Sequence, residues 1–137
     1  SEYDEEEVCR EIEEKLGVIA PRLIYRPEGM VLTEYWIDEE IGEAIVKYKQ
    51  GNNELKMYIS KDHYDTSINF EMDGAEIDSV MIVANGMWVP VYEYRDSSGI
   101  SYYQSEFEVF DTYYSLTGII GQDEFNSILE NIAINNV

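Results

Sequence analysis

Ile77-Asp-Ser-Val-Met-Ile-Val-Ala-Asn-Gly-Met-Trp-Val-Pro-Val-Tyr-Glu-Tyr94 sets two runs of strand-forming residues on either side of Asn85-Gly86. That dipeptide suits the positive φ angles of a two-residue hairpin turn, and Asp73-Gly74 stands in the same relation between residues 68–72 and 77–84. Antiparallel pairing follows. The unbroken apolar run Val80-Met81-Ile82-Val83-Ala84 predicts a central strand covered on both faces, whereas Pro90 demotes its own strand to an edge or a bulge.

Working outward, turn signals separate further short β segments. Arg26-Pro27-Glu28-Gly29 places Pro and Gly as a type I turn wants them. Strands are predicted over 30–37, 44–49 and 55–59, the last two divided by Gly51-Asn52-Asn53, and then over 100–104 and 111–117 after the turn Asp96-Ser97-Ser98-Gly99. The two ends of the chain change period. Val8, Ile12 and Leu16 recur every four residues behind an N-cap pair, Asp4 and Glu7, and Gly17 supplies a stop. Near the other end Phe125, Ile128, Leu129 and Ile132 stand at i, i+3, i+4 and i+7. Two one-sided helices must bury their stripes, so the expected fold is α+β: a meandering antiparallel sheet of about six to eight strands with an N-terminal and a C-terminal amphipathic helix packed on it. Residues 1–137 read as one domain, of a size that buries roughly two-thirds of the surface its unfolded chain exposes.

Composition narrows the function. Twenty-nine Asp and Glu against nine Lys and Arg give a formal net charge of −20. A field of that sign repels nucleic acid and anionic lipid, so a partner is expected to be cationic or neutral. Eight of the acids fall in the first fourteen residues (Glu2, Asp4, Glu5, Glu6, Glu7, Glu11, Glu13, Glu14). They read first as a solvated helix face that keeps the protein soluble, and second as an attractor for a basic protein or peptide. One His and one Cys leave no second candidate for a His/Cys metal cluster or a Cys-His pair. Cys9, between Val8 and Ile12, reads as a small buried hydrophobe. No phosphate-binding glycine string, nucleophile elbow or zinc-finger spacing is present, and no cofactor is expected.

Asp62-His63-x-Asp65 offers an imidazole between carboxylates but reads as surface chemistry rather than a metal site. Asp38-Glu39-Glu40 and the group Glu71, Asp73, Glu76, Asp78 lack the spacing that wraps oxygen ligands round calcium. Aromatic residues carry the binding hypothesis. Trp88, Tyr92 and Tyr94 share one face of their strand by alternation, and Tyr102, Tyr103, Tyr113 and Tyr114 lie on the strands that should follow. They fit a half-buried pleated surface without further purpose; they also fit a groove for a peptide, glycan or lipid-like ligand, for which the candidate residues are Trp88, Tyr92, Tyr94, Tyr102 and Tyr113.

Stretches along nearly the whole chain resemble the bacterial family known as domain of unknown function 4367: Glu5-Glu6-x-x-x-x-Glu11-Ile-Glu-Glu-Lys-Leu-Gly17, Pro27-Glu-Gly-Met30, the strand around Tyr48, Asp96-Ser-Ser-Gly-Ile-Ser-Tyr102, and Gly121-Gln-Asp-Glu-Phe-Asn-Ser-Ile-Leu129. The resemblance implies an extracytoplasmic domain of a single-span membrane protein, sometimes arranged as in anti-sigma factors, with its anchor upstream of Ser1. It transfers no catalytic residue. The function expected is therefore a non-catalytic sensing or binding module outside the cytoplasmic membrane. The alternatives are a carboxylate-dependent hydrolase of cell-envelope glycan, which needs two acids facing across a cleft, and a structural spacer.

Overall fold

The computed structural model describes residues 2–62 and 74–134. In chain order the elements are α1 (Glu5–Leu16), β1 (Arg22–Leu23), β2 (Val31–Asp38), β3 (Glu43–Gln50), β4 (Asn53–Ser60), β5 (Ala75–Ile82), β6 (Met87–Arg95), β7 (Ser101–Val109), β8 (Thr112–Ile119), α2 (Gln122–Glu130) and β9 (Ile132–Ala133). β2 to β8 form one seven-stranded sheet in the order β2-β3-β4-β8-β7-β6-β5, and β1 pairs with β9 in a second, two-stranded sheet. Every pairing is antiparallel. The α+β architecture with terminal helices is as the sequence predicts.

The meander is interrupted once. β4 pairs with β8 rather than with β5, so two antiparallel runs, β2-β3-β4 and β5-β6-β7-β8, join at the middle of the sheet. Among the described residues β5 is consequently an edge strand, not the covered central one. The apolar run divides: Val80 and Ile82 are buried against the core, while Val83 and Ala84 lie beyond the strand in an exposed turn whose Val83 N–H donates to the carbonyl of Glu130 in α2. Residues 83–86 form a four-residue loop, closed by Gly86 N–H to the Ile82 carbonyl, in place of a two-residue Asn-Gly turn. Pro90 sits where β6 pairs with β5 alone, because β6 meets β7 only from Tyr92 to Arg95; a residue without N–H leaves no β7 partner unsatisfied there.

Three other boundaries move. The turn after Pro27 runs one residue later than predicted, with Met30 N–H on the Pro27 carbonyl and Gly29 at φ 84. The second helix ends at Glu130, and Ile132 continues its burial from β9, paired with Leu23. β7 extends to Val109, well past the predicted 104. The turn Asp73-Gly74, the strand over 68–72 and the His63 constellation fall outside the described residues, Gly74 and Asp62 excepted.

Alternation gives the sheet two different faces. Tyr48, Leu55, Met57, Ile59, Tyr114, Leu116 and Phe107 belong to the face that both helices cover. α1 contributes Val8, Cys9, Ile12 and Leu16 at the β2 end, and α2 contributes Phe125, Ile128 and Leu129 toward β5. Phe125 seats beside Gly118, where an added Cβ would lie 2.9 Å from Leu55 and 3.2 Å from Phe125 itself. Neither described helix packs on the opposite face. Both sheet edges are blunted: β2 and β5 each carry a register shift, and Tyr3 bridges Leu32 at the start of β2.

Candidate functional site

The residues predicted as a binding surface all project from the face without helices. Tyr94 and Tyr102 are cross-strand partners with rings stacked at 5.3 Å, and Tyr92 leans on Tyr94 at 6.5 Å. Tyr113 is not part of that group. It packs edge-on against Tyr58 and donates to a Glu106 carboxylate oxygen at 2.7 Å. Accessibility divides the set further. Trp88 is 66% exposed, Tyr92, Tyr102 and Tyr113 are half-buried, and Tyr94 is buried. Gly74 lies so close over Tyr94 that a Cβ there would collide with the ring. Tyr58, Ser60, Gln104 and Ser115, in the middle of this face, are buried as well. The open part is therefore the β5-β6 end, with Trp88 outermost and Tyr92 and Tyr102 behind it.

Tyr103 and Tyr114, one residue out of step, point to the helix side. Tyr103 packs on Phe125, and Tyr114 stacks on Phe107 and donates to the Ile19 carbonyl. Burial pushes the Tyr94 and Tyr102 phenols up from their ordinary value, and burial with the Glu106 hydrogen bond does the same to Tyr113. These rings therefore keep their protons and present neutral hydroxyls at physiological pH.

The acidic N-terminal helix departs from the solvated-face reading. Glu5 accepts from the Tyr48 hydroxyl and from Leu23 N–H, and Glu11 accepts from the Tyr35 hydroxyl at 2.8 Å. Arg22 forks between Glu6 and Glu13, and Glu13 also takes Ala20 N–H. Four of the eight acids thus fasten α1 to the sheet and to β1, while Glu2, Asp4, Glu7 and Glu14 are exposed. Asp4 caps the helix by accepting from Glu6 N–H, and Gly17 closes it at φ 70. The signal was available in the helix period, because Glu5, Glu6 and Glu13 flank the stripe of Val8, Cys9, Ile12 and Leu16.

The carboxyls with displaced affinities move in one direction. Hydrogen bonds from Arg22 and Arg10 hold Glu6 below its usual range, those from Lys15 and Tyr35 hold Glu11 down, and those from Ser98 and Ile100 N–H hold Asp96 down. Cys9 is pushed up to about 12 by burial and stays a thiol. Among the described residues no group of three or more His, Cys, Asp and Glu is placed to hold a metal ion, and no helix is long and apolar enough to cross a membrane.

A feature missed from sequence lies at the turn between β7 and β8. Phe110 and Asp111 form the two-residue turn between β7 and β8 with φ of 49 and 64, and Phe110 is 80% exposed. A cleft of about 680 Å³ lies between this turn, α1 and β1, lined by Val18, Ile24 and Phe110 together with Glu6, Glu13 and Arg22. The paired-strand rule predicts Asn-Gly at such a turn, and the bulky aromatic in its place is the only sequence clue.

The chain matches the family described as Domain of unknown function (DUF4367) over residues 20–132, and it belongs to that family. The matched span begins after α1, so the Glu5 to Gly17 stretch stands outside it. No curated protein matches. Among solved structures, that of MucB in complex with MucA(peri) is similar at 13% identity and a TM-score of 0.45, covering 87% of this chain and 38% of that one. The chain thus spans well under half the length of that protein.

Proposed function

We propose that this DUF4367 domain is a non-catalytic binding or sensing module that works outside the cytoplasmic membrane, in an anti-sigma-factor-like signalling arrangement, and that the β5-β6 end of its helix-free face receives a neutral or cationic ligand. The observation that carries the reading is the exposed Trp88 on the same sheet face as Tyr92 and Tyr102, a face to which neither described helix contributes. Rings with neutral hydroxyls at their rim suit a peptide or glycan, offering apolar area and hydrogen bonds together. The family resemblance supports the compartment. A hydrolase would need one carboxyl held protonated near neutral pH, and Glu6, Glu11 and Asp96, whose affinities are lowered, do not supply it.

Trp88 is a direct reporter, since Trp36 is the only other tryptophan. In a Trp36→Phe background, titration with cell-wall muropeptides, a neutral peptide and a Lys-rich peptide is expected to give a saturable change in Trp88 emission with at least one probe, weakened about tenfold or more by Tyr102→Ala. Flat emission with every probe contradicts the reading. Release of products from a glycan panel by the purified domain contradicts its non-catalytic part.

A further inference from the structure

We infer that the Phe110-Asp111 turn is a second docking ridge, separate from the Trp88 surface, whose occupant is a basic segment of a partner protein carrying an apolar side chain. Each residue of the turn has a left-handed backbone, which favours Gly, Asn or Asp; Phe gains nothing locally from that conformation and offers its ring to solvent. A strained bulky residue that is also exposed is kept by something other than packing. Ile24, 71% exposed, lines the same cleft as Phe110, so an incoming apolar side chain would meet two aliphatic or aromatic walls.

Charge selects the occupant. Across the turn, Asp111 lines a second cleft of about 600 Å³ with Glu39, Glu40, Asp62 and Lys61, beside the half-exposed Ile41. Among the described residues, four acids there face one base. In the first cleft Arg22 is matched by Glu6 and Glu13, so it offers no free positive charge to attract an anion. The combination of apolar ridge and acidic surroundings complements Lys or Arg flanking a hydrophobic anchor. A second copy of this chain, at −20, is disfavoured by the same field.

The test uses fluorescence anisotropy with a labelled peptide of alternating Lys and Leu, and with a charge-matched peptide of alternating Lys and Ser. The Lys-Leu peptide is expected to bind saturably and the Lys-Ser peptide far more weakly, with affinity falling as salt rises to about 0.5 M. Phe110→Asn, which suits the left-handed turn, should weaken Lys-Leu binding about tenfold or more while melting no earlier than the parent. Trp88→Ala should leave that binding unchanged. Equal binding of the two peptides, unchanged affinity in Phe110→Asn, a lowered melting temperature in that variant, an equal loss in Trp88→Ala, or Phe110-dependent dimerisation in sedimentation would each overturn the inference.

Discussion

The two ends of the sheet use the same residue types in opposite ways. At the β2 end, Glu5, Glu11 and the hydroxyls of Tyr48 and Tyr35 face one another beneath α1, so acids and phenols act as internal fasteners. On the helix-free face at the β5-β6 end, Glu76 and Trp88 are exposed and Tyr92 is half-buried, while Asp78, on the other face, accepts from the Asn126 amide of α2. Composition alone would treat both ends as acidic, tyrosine-rich surface. What separates them is whether a helix stripe lies above the strand face, because a carboxylate near a buried stripe must find donors or stay in water.

Truncation should expose that contrast most strongly. Ile12 is fully buried in the α1 stripe, and Ile12→Ala is expected to cost about 2 to 5 kcal/mol, whereas Trp88→Ala at the other end should stay within about 0.5 kcal/mol; urea unfolding of both variants gives the comparison. Equal losses would erase it. Tyr48→Phe sharpens the same point at one atom. Removing the hydroxyl leaves the half-buried Glu5 with one donor fewer, an expected loss of about 1 to 3 kcal/mol by the same measurement.

Titration acts on the two ends differently. Glu6 and Glu11 have folded-state affinities below the ordinary value of 4.5, so their contribution is complete above that pH and is lost as pH falls through the lowered values. Relief of the −20 self-repulsion works oppositely on the way down from neutrality. Melting temperature should therefore rise from pH 8 toward about pH 5 and drop below about 4.5, with added salt stabilising at pH 7. On the alkaline side, burial raises Cys9 from 9.0 and Tyr114 from 10.0, both to about 12. Raised values stabilise fully below the unfolded pKa and fade above it, so stability should decline from about pH 9 upward. A melting temperature that is flat across these ranges would mean that the fasteners contribute nothing. The smallest effect expected is at Ser105, whose buried hydroxyl on the helix side has no hydrogen-bond partner among the described residues; Ser105→Ala should be neutral or stabilise by up to about 1 kcal/mol.

Local periodicity disclosed most of the fold. α1 and its caps, β2, β3, β4, β6 and the Asp96 turn follow from spacing and turn residues, because those signals are short-range. The β4-β8 pairing does not, since nothing in Asn53–Ser60 or Thr112–Ile119 specifies a partner so distant in sequence. β5 misled for a related reason: Val80 to Ala84 is one apolar run in sequence but a strand end followed by a turn docked on α2 in space. Ile132 kept the helical period while sitting in β9, as burial alone cannot distinguish them. The shared face of Trp88, Tyr92 and Tyr94 was legible from alternation; that Tyr102 and Tyr113 rather than Tyr103 and Tyr114 join it, the burial of Tyr94 beneath Gly74 and the coupling of Tyr113 to Tyr58 and Glu106 were not, because all depend on cross-strand register or tertiary neighbours.

That the helix-free face binds at the β5-β6 end while the helix-covered face beneath α1 only fastens is best checked by aromatic-ring NMR of the intact domain during titration with the muropeptide and peptide probes. The account predicts shifts confined to Trp88, Tyr92 and Tyr102, with Tyr35, Tyr48 and Tyr114 unmoved. Shifts centred on Tyr35 and Tyr48, or none at all, would contradict it.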